Sequence, residues 1–321
     1  MSETSLVVVG PGRVGLSLAA DLAETGRFHE ILVLGRRSVA PAFLAGRPGI
    51  AYRSLEASPE RRAGVRPGVQ LPAPEPELDT APEPELDCLI FCVPDDRLSA
   101  AAREWCRRRE RGLVPACRVA LHTSGLHPAS VLESLRSKRT AVGSWHPLVA
   151  LAGPREGAFR DATIGLEGEP AALRSGERLA EAVGARTIRV DARGKGAYHL
   201  AAVFASNHLV ACLGVALREL RRSGATNAGL EDLLPLARSA LDNLVGSDLA
   251  TAATGPVARG DVGTVERHLE SLDPADRDVY RGLALELLRL AKARLTPDSR
   301  AAMERLLADR TRGAVESAPG K

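Results

Sequence analysis

The residues of this chain best equipped to move protons are a lysine and a set of histidines. Lys195, His199 and Asn207 recur at intervals of four and eight in an otherwise apolar stretch, with Ser206 beside Asn207, so on a helix they share one face. A polar stripe on an apolar helix is costly unless its groups are paired or used. An imidazole of ordinary pKa, about 6.5, suits proton transfer near neutrality better than a lysine near about 10.4, which would need desolvation to compete. His199 is therefore the expected acid, with Lys195 polarising the substrate and Asn207 anchoring the stripe. The alternative is a buried hydrogen-bonded network. His122-Thr123-Ser124-Gly125 and Ser144-Trp145-His146-Pro147 each follow a β-type run. Two histidines, two serines and a tryptophan are expected to converge there, with Ser124 orienting the substrate and His146 touching it or supporting the groups that do. Histidines of purely structural role are the alternative. The seven histidines show no compact ligand spacing and no cysteine pair joins them, so no metal is expected.

A second constellation points to a nucleotide. Gly10-Pro11-Gly12-Arg13-Val14-Gly15 lies between a β-branched run and a segment of helical spacing. The three glycines would permit a tight turn, close approach of the backbone to a pyrophosphate, and packing of helix on strand. A merely structural turn is the alternative. The second strand ends at Gly35-Arg36-Arg37-Ser38, where a cofactor without the 2′-phosphate would usually meet a carboxylate. Two guanidinium forks and a hydroxyl suit a phosphate dianion, which favours NADP over NAD unless both arginines are simply solvated. Val93-Pro94-Asp95-Asp96 ends the fourth strand, where ligands of open α/β sheets sit. Val93, Pro94 and Asp95 are expected on the nicotinamide-ribose side, and Asp95 or Asp96 can also cap the next helix.

These groups need a scaffold, and the apolar pattern supplies one. Runs at 5–9, 31–34, 50–52, 88–93, 118–121, 140–143, 163–166 and 187–190 read as strands, and 14–22 and 170–183 as helices. From 195 onward the signal is all helical: 195–222, 231–244, a helix starting near Asp261, another over 274–295 and a last one from Pro297. The turn-rich segment 254–261 reads as an interhelical loop, with Asp261 as a cap or Arg259 reaching an anionic substrate group. Residues 69–87 contain the heptapeptide Ala-Pro-Glu-Pro-Glu-Leu-Asp twice, a proline density that predicts a solvated, disordered loop. The expected organisation is a dinucleotide-binding domain over 1–191, a helical substrate and dimerisation domain over 192–310, and a flexible tail over 311–321.

Length and composition fit this plan. The chain has 321 residues, 45% hydrophobic and 26% charged, as in globular rather than disordered proteins. A formal charge of +3 and the lack of any basic run interleaved with aromatics argue against nucleic acid. Five cysteines without a preceding secretory signal lead us to expect a reducing cytoplasm. Residues 196–217 carry no formal charge and are long enough to span a bilayer. Tyr198, His199, Ser206, Asn207 and His208 make a buried soluble helix the better expectation. Its apolar face is too long for the helical half to cover, so a homodimer through that domain is expected.

The GPGRVG turn, VPDD, HTSG, WHPL, the YHLAAVFASNHLV helix and TGPVARGD together resemble Rossmann-like proteins with a C-terminal domain of unknown function 2520. That family is related to pyrroline-5-carboxylate reductases and deazaflavin-dependent NADP oxidoreductases. The resemblance covers most of the chain. It implies an α/β fold with a Rossmann-type parallel sheet, followed by an all-helical C-terminal domain like that of 6-phosphogluconate dehydrogenase. It also implies a reductase architecture, while naming no substrate. The expected activity is NADP-dependent hydride transfer to or from a small carbonyl or imine. The alternative is a non-catalytic protein that senses NADP and a metabolite.

Overall fold

A computed structural model of the protein describes residues 4–56 and 86–309. Eight strands form one sheet: β1 (Thr4–Val9), β2 (Phe28–Gly35), β3 (Ile50–Ser54), β4 (Leu86–Phe91), β5 (Cys117–His122), β6 (Ala141–Pro147), β7 (Thr163–Gly168) and β8 (Arg186–Arg189). Their order is β3-β2-β1-β4-β5-β6-β7-β8. All neighbours are parallel except β6 and β7, which are antiparallel. The fold is Rossmann-type α/β followed by a helical C-terminal region.

The central strands are apolar on both faces because both faces are covered, as parallel sheets require. On one face α1 (Arg13–Glu24) and α3 (Pro170–Ala182) lay Leu16, Leu18, Leu22 and Leu179 against Val8, Val33, Ile90, Leu121, Trp145 and Leu166. On the other, α2 (Leu98–Glu110) and a 3₁₀ segment (Ala129–Leu135) lay Leu98, Ala102, Trp105 and Leu132 against Val7, Leu89, Phe91, Ala120 and Val142. The odd–even alternation decides which side chains of each strand reach which layer.

Two sequence expectations need correction in this unit. Leu86 and Asp87, expected in the proline-rich loop, open β4: Leu86 is buried, and Asp87 exchanges hydrogen bonds with Ser5 across the sheet at 3.0 and 3.1 Å. The rest of that loop through residue 85, apart from 86–87, lies outside the described residues, as does the tail beyond 309. Ser144-Trp145-His146-Pro147 does not follow a strand but is the end of β6.

The helix expected over 195–222 is interrupted. It runs as α4 (Lys195–Val203), a π-helical turn (Phe204–His208) and α5 (Leu209–Arg222). The compact units divide within it, Met1–Ser206 and Asn207–Lys321, rather than at 191/192. The first turns of α4 hold groups that bind the sheet, so they belong to the α/β unit.

The second unit continues with α6 (Leu234–Asp242), α7 (Leu249–Ala252), α8 (Gly255–Arg259), α9 (Val262–Ser271), α10 (Pro274–Ala291) and α11 (Pro297–Ala308). Asp261, Asp273 and Thr296 cap the last three through their side chains. Its core is Val257, Val265, Leu269, Ala284, Leu288, Met303, Leu306 and Leu307. The segment read as a loop contains a helical turn, α8, closed by Gly260 at φ 72°, with Arg259 exposed at its end. The expectation of a buried long helix also fails for the single chain. No residue of α5 is buried, and Val210 is 70% exposed. The helix Ala192–Arg222 is long and apolar enough to cross a membrane by length and composition alone.

Candidate functional site

The glycine turn after β1 is fixed from both sides: the Gly10 amide donates to Leu34 O at 2.9 Å and the Cys92 amide to Val9 O at 2.7 Å. Gly10 has φ 108°, and a Cβ there would stand 2.5 Å from the Cys92 carbonyl oxygen; one on Gly15 would stand 2.2 Å from Gly10 O. Both are excluded sterically, the first also by its left-handed backbone. Gly12 differs. It is exposed at the N-cap of α1, no side chain caps the helix, and the nearest protein atom to a Cβ there is 3.9 Å away. The chain therefore leaves an open approach to the helix N-terminus, which is what a dinucleotide pyrophosphate needs. Pro11 packs against Gly35, and Val93 lies beside Gly10. Val14 packs at the edge of the core. Arg13 donates to the Leu151 carbonyl at 2.8 Å.

Arg36, Arg37 and Ser38 are exposed after β2. Their backbone is anchored from β3, because Tyr52 Oη donates to Arg37 O at 2.8 Å and Ser54 Oγ to Arg36 O at 3.1 Å. Among the described residues neither guanidinium is in a salt bridge. Pro94 and Asp95 are exposed beyond β4, and the Asp95 carboxylate acts electrostatically on Lys195.

Lys195 is the unusual residue of the fold: an amine at 1% exposure. Nζ donates to Ser124 O at 3.0 Å and Ser144 Oγ at 2.7 Å, and lies 5.5 Å from the centre of the Tyr198 ring. Burial pulls its pKa down to about 8 against the opposing pull of Glu167 and Asp95. The desolvation that a catalytic lysine needs is thus present. Ser144 and His146 alternate on β6 with Trp145, so they face the lysine while Trp145 faces the opposite layer. There Trp145 is fully buried, donates Nε1 to Gly176 O at 3.0 Å and packs edge-on against Phe159. The expected convergence of the tryptophan with the histidines is therefore wrong, and period-two alternation is the reason.

The imidazoles differ in what they do. His122 is buried, accepts the Ser124 amide at Nδ1 and contacts Pro128 O through Nε2, and its pKa is lowered to about 3 by burial first and Lys195 second. His146 is partly buried, with its pKa lowered to about 4 by burial, then Lys195, then His199. Its ring meets those of Tyr198 and His199 edge-on at 5.4 and 5.9 Å. His199 Nδ1 is buried without a hydrogen-bond partner. Gly125 makes room for this: a Cβ on it would lie 2.5 Å from His199 Nδ1 and 2.8 Å from His146 Nε2.

Lys195, His199, Ser124 and His146 therefore come together within the α/β unit. Asn207 begins the other unit and lies in the π-turn, whose extra residue shifts the helical phase on which its place in the stripe depended. Sequence reasoning gave no role to Tyr198, Glu167 or Gly165. Tyr198 bonds His146, Glu167 accepts the Ala129 amide at 2.6 Å, and Gly165 leaves space for the Tyr198 phenol. Among the described residues no cluster of three or more His, Cys, Asp or Glu could hold a metal ion.

Residues 162–287 match the domain of unknown function DUF2520, so the chain carries that domain. Protein TM1727 of Thermotoga maritima is similar in structure at 23% identity, over 90% of this chain and 99% of that one, with a TM-score of 0.62. BF3122 of Bacteroides fragilis, provisionally named an NADP oxidoreductase, is similar at 22% identity over 89% and 98%, with a TM-score of 0.63. These likenesses show a shared fold. No curated protein matches the chain.

Proposed function

We propose that the chain is an NADP-dependent oxidoreductase acting on a small carbonyl or imine. The observation that carries this reading is the Lys195 amine, at 1% exposure, held by Ser124 O and Ser144 Oγ, its pKa brought down to about 8 by burial against the opposing pull of Glu167 and Asp95. A buried titratable group beside a nucleotide-binding strand end is a candidate for chemistry. The provisional name of the Bacteroides fragilis protein points the same way.

Gly10, Pro11, Gly12, Arg13, Val14 and Gly15 would hold the dinucleotide at the α1 N-terminus, with Val93, Pro94 and Asp95 alongside. Arg36, Arg37 and Ser38 would take the 2′-phosphate. The bound dinucleotide would supply or accept the hydride. Lys195 Nζ gives its proton to the substrate heteroatom, since burial has brought it closer to neutrality than an exposed lysine. Ser124 O and Ser144 Oγ aim the amine. His199 and His146 bound the space beside Gly125.

Turnover of NADPH across small keto acids and cyclic imines tests the reading. Saturable binding without turnover of any of them would favour the sensor and overturn catalysis. The exposed apolar residues of the helical unit, Leu209, Val210, Leu236 and Leu241 among them, support a homodimer through that unit. All five cysteines are unpaired, which supports a reducing, cytoplasmic setting.

A further inference from the structure

Tyr198 Oη lies 3.0 Å from His146 Nδ1 and 3.2 Å from the His146 carbonyl oxygen. A phenol has one proton, and a carbonyl can only accept. The proton therefore goes to His146 O, and the phenol oxygen is left to accept from Nδ1–H. A neutral imidazole carries one N–H, so Nε2 keeps its lone pair. Burial and the neighbouring Lys195 favour that neutral form. The clamp depends on strand pairing: β7 runs antiparallel to β6 and places Gly165 opposite His146. A Cβ on Gly165 would lie 2.3 Å from Tyr198 Oη, so only glycine lets the phenol reach the histidine. On the other edge of the ring, Nε2 and the unpartnered His199 Nδ1 converge on the backbone of Gly125.

We propose that Tyr198 is a positioning residue that holds His146 as the Nδ1–H imidazole, reserving Nε2 as an acceptor for an uncharged hydroxyl of the substrate pair. A lone pair calls for a donor, which excludes a carboxylate from this position and favours the alcohol half of a substrate pair over its carbonyl half. The Lys195 charge nearby disfavours a cationic donor, and simple amines are protonated near neutrality. The substrate class that fits is an alcohol and its carbonyl rather than an amine and its imine. The alcohol half of this inference rests on the oxidoreductase reading, whereas the tautomer does not.

Long-range proton–nitrogen spectra of the full-length protein labelled in histidine nitrogen read the tautomer without any substrate. We expect His146 protonated at Nδ1 in the wild type and a mixture of tautomers in Tyr198→Phe, with His122 unchanged in both as an internal control. Protonation of His146 at Nε2 in the wild type overturns the proposal, and this reading does not depend on the variant folding. An identical His146 spectrum in Tyr198→Phe also overturns it. With NADP, oxidation of small hydroxy acids is expected in preference to the matching amino acids. Turnover of amines alone overturns the hydroxyl assignment. No turnover of either, with the tautomer intact, counts against the oxidoreductase reading and leaves the role of Tyr198 standing.

Discussion

His122 and Ser124 are bound to each other across one residue. The buried imidazole accepts the Ser124 amide at Nδ1, 3.1 Å away, which leaves Nε2–H to donate to Pro128 O at 3.2 Å. The ring thereby shapes the turn whose Ser124 carbonyl receives the Lys195 amine. A residue that the sequence placed among the candidate site groups is the brace beneath them.

That brace predicts acid sensitivity. Protonating Nδ1 would set it against the Ser124 N–H, and the His122 pKa is lowered to about 3. The unfolded chain titrates near about 6.5 and so binds the proton that the folded chain refuses. The stability contributed is fully present above the unfolded value and is lost as pH falls below it toward 3. Urea unfolding should show wild type weaker at pH 5 than at pH 7 by about 2 kcal/mol from this histidine. His122→Gln should be less stable at pH 7 and flatter in pH. An equal pH slope in both proteins would show that His122 is not the sensor.

Lys195 should matter for rate more than for stability. A buried ammonium carries a desolvation penalty that a methionine does not, and Ser144 Oγ can still donate to Ser124 O, 3.3 Å away. Lys195→Met should keep the fold and its NADPH affinity and slow the chemical step by roughly 10²–10⁴-fold. With lysine as the acid, wild-type reduction falls as pH rises through about 8. Single-turnover rates in Lys195→Met and His199→Ala separate the roles. A full loss in His199→Ala with little loss in Lys195→Met would return the proton to the histidine.

The sheet, its order of α and β segments and the glycine turn were legible because each depends on local pattern: β-branched runs, glycine spacing and turn residues. Lys195, His199, Ser124 and His146 were legible as polar residues where apolar ones were expected. The partnership of Tyr198 with Gly165 was not, because it depends on β7 reversing direction beside β6 and so placing a glycine opposite His146. Local sequence carries no sign of strand polarity. The π-turn that removes Asn207 from the stripe was hidden for a similar reason, since Phe204–His208 contains no glycine or proline and reads as uninterrupted helix.

The three glycines of the turn should separate folding from binding. Gly10→Ala and Gly15→Ala force contacts with backbone atoms at 2.5 and 2.2 Å and should lower the melting temperature. Gly12→Ala meets nothing closer than 3.9 Å, so its stability should match wild type while NADPH affinity falls. Equal NADPH affinity in Gly12→Ala and wild type would remove the pyrophosphate from this turn.

Arg36 and Arg37 should decide between the two dinucleotides. Their backbone is held by Tyr52 and Ser54, so the side chains can be removed without loosening β2 or β3. Changing both to Ala should weaken NADPH by about 1.5–3 kcal/mol for each lost charge-assisted hydrogen bond and leave NADH nearly unchanged. Calorimetric titration with both cofactors measures this, and equal losses would assign the arginines to solvent.

The helical unit should be dimeric in solution. Val210 is 70% exposed, Leu236 70% and Val245 82%, while Leu209, Leu241 and Leu249 are also exposed. So many apolar side chains on one unit of a chain exceed the scattered surface leucines that need no partner. Burying them against a second copy removes that area from water at about 25 cal/mol per Å². A charge placed in the patch must then oppose association. Sedimentation at micromolar concentration should give twice the 33.9 kDa chain mass. Val210→Asp, exposed and free of core contacts within the chain, should shift the protein to monomer without unfolding the α/β unit. A wild type that sediments as a monomer would leave the apolar residues without a second copy to cover them and would sink the proposed assembly.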